Sequence, residues 1–198
     1  MSSPSATGKP LHAPLDEYVR QFEDLKRDAA QLTDGLSDDQ FNWAPTAERW
    51  SMAQCFDHLN AVARPYCEAL ARGIETTRER GFTVGGPVRY SFLERYAIRS
   101  MEPPPKRRIP APGIFRPSAS RPTYSLAETL DEYAAAKDRF VELLSSADGL
   151  DVGKVKIATP VSKLIRLRIG AAFAFLASHE RRHLWQARKV RESVGFPD

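Results

Sequence analysis

The sequence predicts an all-α protein, a four-helix bundle with a long proline-rich connection between its second and third helices. Three observations carry that reading. Four segments of bundle length repeat apolar residues at three- and four-residue steps. Serines suited to capping stand ahead of the second and third of them. Between those two, residues 102–122 hold seven of the chain's 15 prolines, a density that no helix tolerates.

The first helix is expected from about Leu15 to Leu36, with Leu15, Tyr18, Phe22, Leu25, Ala29 and Leu32 forming its apolar stripe and Gly35 loosening its end. Ser37 with Gln40 reads as a capping box that opens a short turn through Phe41 and Trp43. Ser51 then caps a helix reaching to about Arg80, with an inner stripe of Met52, Cys55, Leu59, Val62, Tyr66 and Leu70, a bend at Pro65, and a stop at Gly81 and the Gly85, Gly86, Pro87 cluster. Tyr90 to Met101 forms one short helix. Ser125 with Glu128 is a second capping box, followed by Leu126, Leu130, Tyr133, Ala136, Phe140 and Leu143 and a stop at Gly149. Val155 to Leu167 alternates irregularly and reads as extended, and Ile169 to about Val194 gives the last long helix.

A chain of 198 residues with 42% apolar side chains can bury a real core, and it reads as one domain over residues 14–198, with 81–124 as a long inserted connection and 1–13 as a flexible N-terminal segment. The net charge of +4 comes from 29 basic and 25 acidic residues spread along the chain, which argues against nucleic acid as a partner. The N-terminal stretch lacks a signal-peptide core, and the longest apolar run, Ile169 to Ala177, falls far short of a membrane span, so a cytoplasmic protein without a membrane partner is expected. Cys55 and Cys67 share one helix, about 18 Å apart along its axis, and cannot pair with each other.

The chemistry concentrates in the histidines. Of the four present, all but His12 fall on inward faces of predicted helices. On the last helix the stripe Ala172, Phe175, Leu176, His179, His183, Gln186 and Val190 turns polar in its middle, and His179 and His183 stand about 6 Å apart along one face. His58 lies on the face of the second helix that meets it across a bundle core. Three imidazoles suit a divalent ion, zinc or nickel ahead of iron or manganese, and leave coordination positions for water or substrate. Any one of these histidines alone reads as a core residue bonded to a carbonyl; the three together read as a site. Gln54, one turn before His58, and Gln186, about one turn after His183, are candidate pocket amides, with helix–helix hydrogen bonding as the other reading. Lys106, Arg107 and Arg108 form a basic turn in a loop long enough to act as a lid or binding loop.

Trp50-Ser51-Met52-Ala53-Gln54-Cys55-Phe56-Asp57-His58-Leu59, followed far downstream by His179-Glu180-Arg181-Arg182-His183, resembles the DinB/YfiT-like superfamily of metal-binding four-helix proteins over about Leu15 to Val194. The resemblance implies that His58, His179 and His183 hold the metal. It further implies a metal-dependent transferase or isomerase that uses a low-molecular-weight thiol such as mycothiol, bacillithiol or glutathione. The expected partners are a small-molecule substrate and a second copy of the chain as a homodimer. Two other readings stand beside it. His179-Glu180-Arg181-Arg182-His183 also satisfies the H-E-x-x-H pattern of zinc hydrolases, although the metzincin continuation would need glycine and histidine where the chain has Gln186 and Lys189. The third reading is a structural or binding module without catalysis, which a fourth protein ligand would favour.

Overall fold

The computed structural model describes residues 11–84, 87–107, 110–117 and 123–198. Among them are six α-helices: α1 (Leu15–Thr33), α2 (Asp38–Asn42), α3 (Met52–Glu79), α4 (Phe92–Met101), α5 (Leu126–Ser146) and α6 (Ile169–Arg191), with a 3₁₀ turn at Gly113–Phe115. A two-stranded antiparallel hairpin, β1 (Lys156–Thr159) and β2 (Ser162–Arg168), leads directly into α6.

Four serines start four of the helices by the same device. The side chains of Ser37, Ser51, Ser91 and Ser125 each accept a hydrogen bond from the backbone N–H three residues on, and for the first three the side chain of Gln40, Gln54 or Glu94 reaches back to the cap's own N–H. Helix ends follow backbone freedom. Gly81 and Gly149, just past α3 and α5, adopt φ of 65° and 76°, the left-handed region that other residues enter at a cost. Helix α3 continues through Pro65, and the stops at Gly85 and Gly86 foreseen from sequence lie outside the described residues, as do residues 1–10 and Arg108.

The apolar stripes decide the packing. Helix α1 contacts α5 and α6, and α3 contacts the same two on its other sides, so that Phe22, Phe56, Leu59, Tyr133, Phe140 and Phe173 meet in one continuous core. Helix α6 is buried around nearly its whole circumference, because α1, α3, α4 and the hairpin all lie against it.

The all-α expectation needs one correction, the hairpin. Its strand character is muted in sequence because Leu164 and Ile165, apolar neighbours on β2, are both exposed, so the alternation that marks a half-buried strand is missing. Ile157 and Leu167, paired across the ladder, turn inward, as does Thr159 at the end of β1. Ile157 lies so near α3 that a Cβ at Gly73 would stand 2.5 Å from its Cγ2, and glycine is what lets the strand approach. The short helix expected from Tyr90 begins at Phe92. It is tied to the start of α6 by Glu94, a buried carboxylate that accepts from the Arg168 backbone N–H at 2.8 Å and pairs with its guanidinium.

Candidate metal centre

Ser51 fixes the first turn of α3, so the seventh residue after it, His58, is set two turns into the helix on the side facing α6. Trp50, just ahead of the cap, folds over the result. Its ring lies 5.2 Å from that of His58 and stacks on His183 at 5.9 Å. On α6, residues 179 and 183 are about one turn apart, and both rings face His58 with centroid separations of 5.1 and 4.6 Å. Phe175, one turn earlier, stacks on His179 at 6.0 Å.

The three histidines form a buried group in which one ring nitrogen from each lies within 4.8 Å of the other two, and no cysteine or carboxylate joins them among the described residues. His58 Nδ1 lies 2.7 Å from the Phe115 carbonyl. A carbonyl can only accept, so Nδ1 carries the proton and the neutral ring's lone pair sits on Nε2. That Nε2 is 3.2 Å from His179 Nε2. Two nitrogens bound at tetrahedral angles to one zinc ion stand about 3.3 Å apart, so the spacing is that of two ligands sharing an ion. The Phe115 carbonyl then plays the part that outer acceptors play around metal-bound histidines, holding tautomer and ring orientation. His179 Nδ1 and His183 Nδ1 are buried without a hydrogen-bond partner among the described residues, so the cluster is not a closed network serving the core alone.

Burial holds all three imidazoles neutral. It lowers His58, against the opposing pull of the Phe115 carbonyl and Asp57. It drives His179 well down, helped by the repulsion that a second proton on His183 or His58 would bring and by the charges of Lys137 and Arg182. It pushes His183 down to about 3, helped by His58 and Arg182 and opposed by Gln186. In metal-free protein the unfolded chain therefore binds protons at these rings below the ordinary histidine value of 6.5, while in the folded chain His58 takes its proton at a lower pH and His179 and His183 do so only far lower. Stability present above about pH 6.5 is expected to fall as pH drops toward 3, and metal affinity with it, because protons and metal compete for the same nitrogens. Urea midpoints between pH 8 and pH 4 test this; a flat profile for the metal-free protein would contradict it.

The cluster opens on a cavity of about 1050 Å³, walled by Trp50, Val62, Tyr66, Phe175, Trp185 and Gln186 and by residues of the proline-rich connection from Pro105 to Arg116. That connection supplies the Phe115 carbonyl and carries Lys106 and Arg107 into the lining; Arg108 lies outside the described residues. Gln186 lines the cavity beside His183. Gln54 does not. Its Oε1 accepts from the Ser51 backbone N–H at 3.0 Å, which commits it to the helix cap and corrects its reading as a pocket amide. The Ser51-x-x-Gln54 spacing carried that signal, the same one read at Ser37 and Gln40.

Glu180 is also committed elsewhere. Consecutive helix residues point about 100° apart, so Glu180 turns from the cluster toward α5. There it forms a buried ion pair with Lys137, whose ammonium sits 4.2 Å from the centre of the Tyr133 ring. The general base of the H-E-x-x-H reading is thus missing from the cavity. Sequence reasoning also passed over Arg182, which lines the cavity between the two α6 histidines, and the Phe115 carbonyl, which no side-chain pattern could reveal. Cys55 is buried in the core and Cys67 half-buried; both are free thiols, and burial raises both, Cys67 to about 11.

No helix among the described residues is long and apolar enough to cross a membrane. No curated protein and no solved structure matches the chain. The sequence model of the DinB superfamily does, over residues 21–187, a span that begins in α1, ends in α6 and contains all three clustered histidines. The chain belongs to the DinB superfamily.

Proposed function

We propose that this protein is a divalent-metal enzyme that uses a low-molecular-weight thiol to transfer to, or isomerise, an electrophilic small molecule. The observation that carries the reading is a buried group of three histidines opening on a cavity of about 1050 Å³. Structural zinc is closed by four protein ligands, whereas three ligands facing a cavity leave room for a reactant. Zinc or nickel suits imidazole best, with iron or manganese as further candidates. When bound, such an ion lowers the pKa of a coordinating thiol, which then reacts as thiolate at neutral pH. The chain's own part is to orient and to exclude water. The Phe115 carbonyl fixes His58, Trp50 and Phe175 stack on His183 and His179, and Gln186 stands beside His183 at the cavity wall.

The same proposal takes the four long helices as one four-helix bundle and residues 14–198 as one domain with 81–124 inserted. It places the protein in the cytoplasm. The exposed apolar side chains of Phe92, Leu93, Tyr96 and Leu164 support a homodimer.

Cobalt-substituted protein titrated with glutathione, bacillithiol and mycothiol tests the chemistry. A sulfur ligand is expected to add a strong near-ultraviolet charge-transfer band, and the same thiol to support turnover of an electrophile panel. No band with any thiol and no thiol-dependent turnover would overturn the reading in favour of a metal-dependent binding module. Hydrolysis that requires Glu180 would favour the zinc hydrolase instead.

A further inference from the structure

The ionisable side chains that line the cavity, apart from the histidines and Tyr66, are all cations: Arg49, Lys106, Arg107, Arg116, Arg182 and Lys189. No aspartate or glutamate joins them among the described residues, although the chain holds 25 acidic against 29 basic residues and a random lining would mix the two. Arg182 is the telling member. Its residue is 8% exposed, and its two terminal nitrogens donate to the backbone carbonyls of Ser100 at 3.1 Å and Arg107 at 3.0 Å. Those acceptors satisfy N–H groups without cancelling the charge. The other buried charges, Glu94, Lys137 and Glu180, each have a counter-ion. Arg182 has no carboxylate within ion-pair distance among the described residues, and it faces the cavity beside His179 and His183. A buried, uncompensated guanidinium costs free energy unless an anion completes it.

Part of the cavity's lining is apolar. Val62, Tyr66 and Phe175 form its wall near the histidines, while Lys106, Arg107 and Arg116 come from the connecting segment that borders it. We propose that the cavity is built for an organic carboxylate with an apolar body, the carboxylate held by Arg182 and the neighbouring cations and the body packed against Val62, Tyr66 and Phe175. A planar guanidinium matches a carboxylate bidentately, and two of its five N–H groups are spoken for by carbonyls. The inference deepens the proposed enzyme by naming its substrate class and rests on that reading for its catalytic meaning. The recognition itself needs neither metal nor thiol.

The test uses metal-free full-length protein without any thiol, so a failure of the thiol chemistry leaves its outcome untouched. Binding of 3-phenylpropionate and its neutral isostere 3-phenylpropionamide is followed by calorimetry and by fluorescence of Trp50 and Trp185, which line the cavity. The carboxylate is expected to bind at least about tenfold more tightly than the amide, and Arg182→Gln to remove most of that preference while leaving amide affinity within about threefold. Arg182→Lys, which keeps the charge and loses the fork, should retain part of it. Should Arg182→Gln fail to fold for want of its two carbonyl contacts, the Arg107→Gln/Arg116→Gln double variant decides, with an expected loss of about threefold or more in carboxylate affinity alone. Equal affinities for acid and amide in the wild type would overturn the proposal. So would a preference that appears only in metal-loaded protein, which would make the carboxylate a metal ligand, or one that survives every variant.

Discussion

Replacing His58 with alanine is expected to strip the purified protein of its divalent metal, from about one ion per chain to a small fraction of that, with affinity falling more than about 100-fold. Disturbing only an outer partner of a metal-bound histidine costs 10–100-fold, so removing one of three ligands costs more. The geometry makes His58 the decisive position. It is the one member of the cluster supplied by α3, its Nδ1–H is held by the Phe115 carbonyl at 2.7 Å, and its Nε2 lies 3.2 Å from His179 Nε2. His179→Ala and His183→Ala should behave alike. His12→Ala should not, because His12 is exposed and outside the cluster. Elemental analysis of each variant, with competition titration against a chelator of known affinity, measures the effect. Unchanged metal content in His58→Ala would refute the three-histidine site.

Lys137→Met should destabilise the fold by about 3–5 kcal/mol, the usual consequence of leaving one partner of a buried ion pair uncompensated. Lys137 and Glu180 are 1% and 2% exposed at their side chains, and α5 and α6 offer Glu180 no other cation at ion-pair distance among the described residues. Burial pulls the Lys137 ammonium down and the Glu180 carboxylate opposes it, so the charge state itself depends on the pair. The double variant Lys137→Met/Glu180→Leu should recover most of the loss, since apolar residues of similar volume often replace a buried pair without cost. Denaturant midpoints and slopes for the three proteins measure this. The double variant should also keep its metal. Loss of metal there, with the fold intact, would return Glu180 to the metal chemistry and revive the hydrolase reading.

Much of this was legible in sequence, for identifiable reasons. The stripe from Leu15 to Leu32 and that from Met52 to Leu70 predict their helices because burial on one face imposes a 3.6-residue period, and every named member of both is buried. The α5 stripe was read less well: Leu126, Leu130 and Ala136 are only partly buried, and Thr129 and Lys137 stand inside instead. Lys137 was invisible to a hydrophobic pattern because its partner is 43 residues away. The hairpin was obscured by the two exposed apolar residues on β2, and Gln54 was misplaced because a capping glutamine and a pocket glutamine look alike until the hydrogen bond is seen.

The sequence by itself determined the long helices, their serine starts and the three histidines that share inward faces, because local periodicity and capping are written in residues a few positions apart. Only the tertiary structure decided what those histidines meet. The Phe115 carbonyl, 57 residues from His58, orients its ring; Lys137 withdraws Glu180 from the site; and Arg182 faces a cavity with no acid to answer it. Each depends on the packing of helices and a loop distant in sequence, where backbone carbonyls and counter-charges leave no periodic trace.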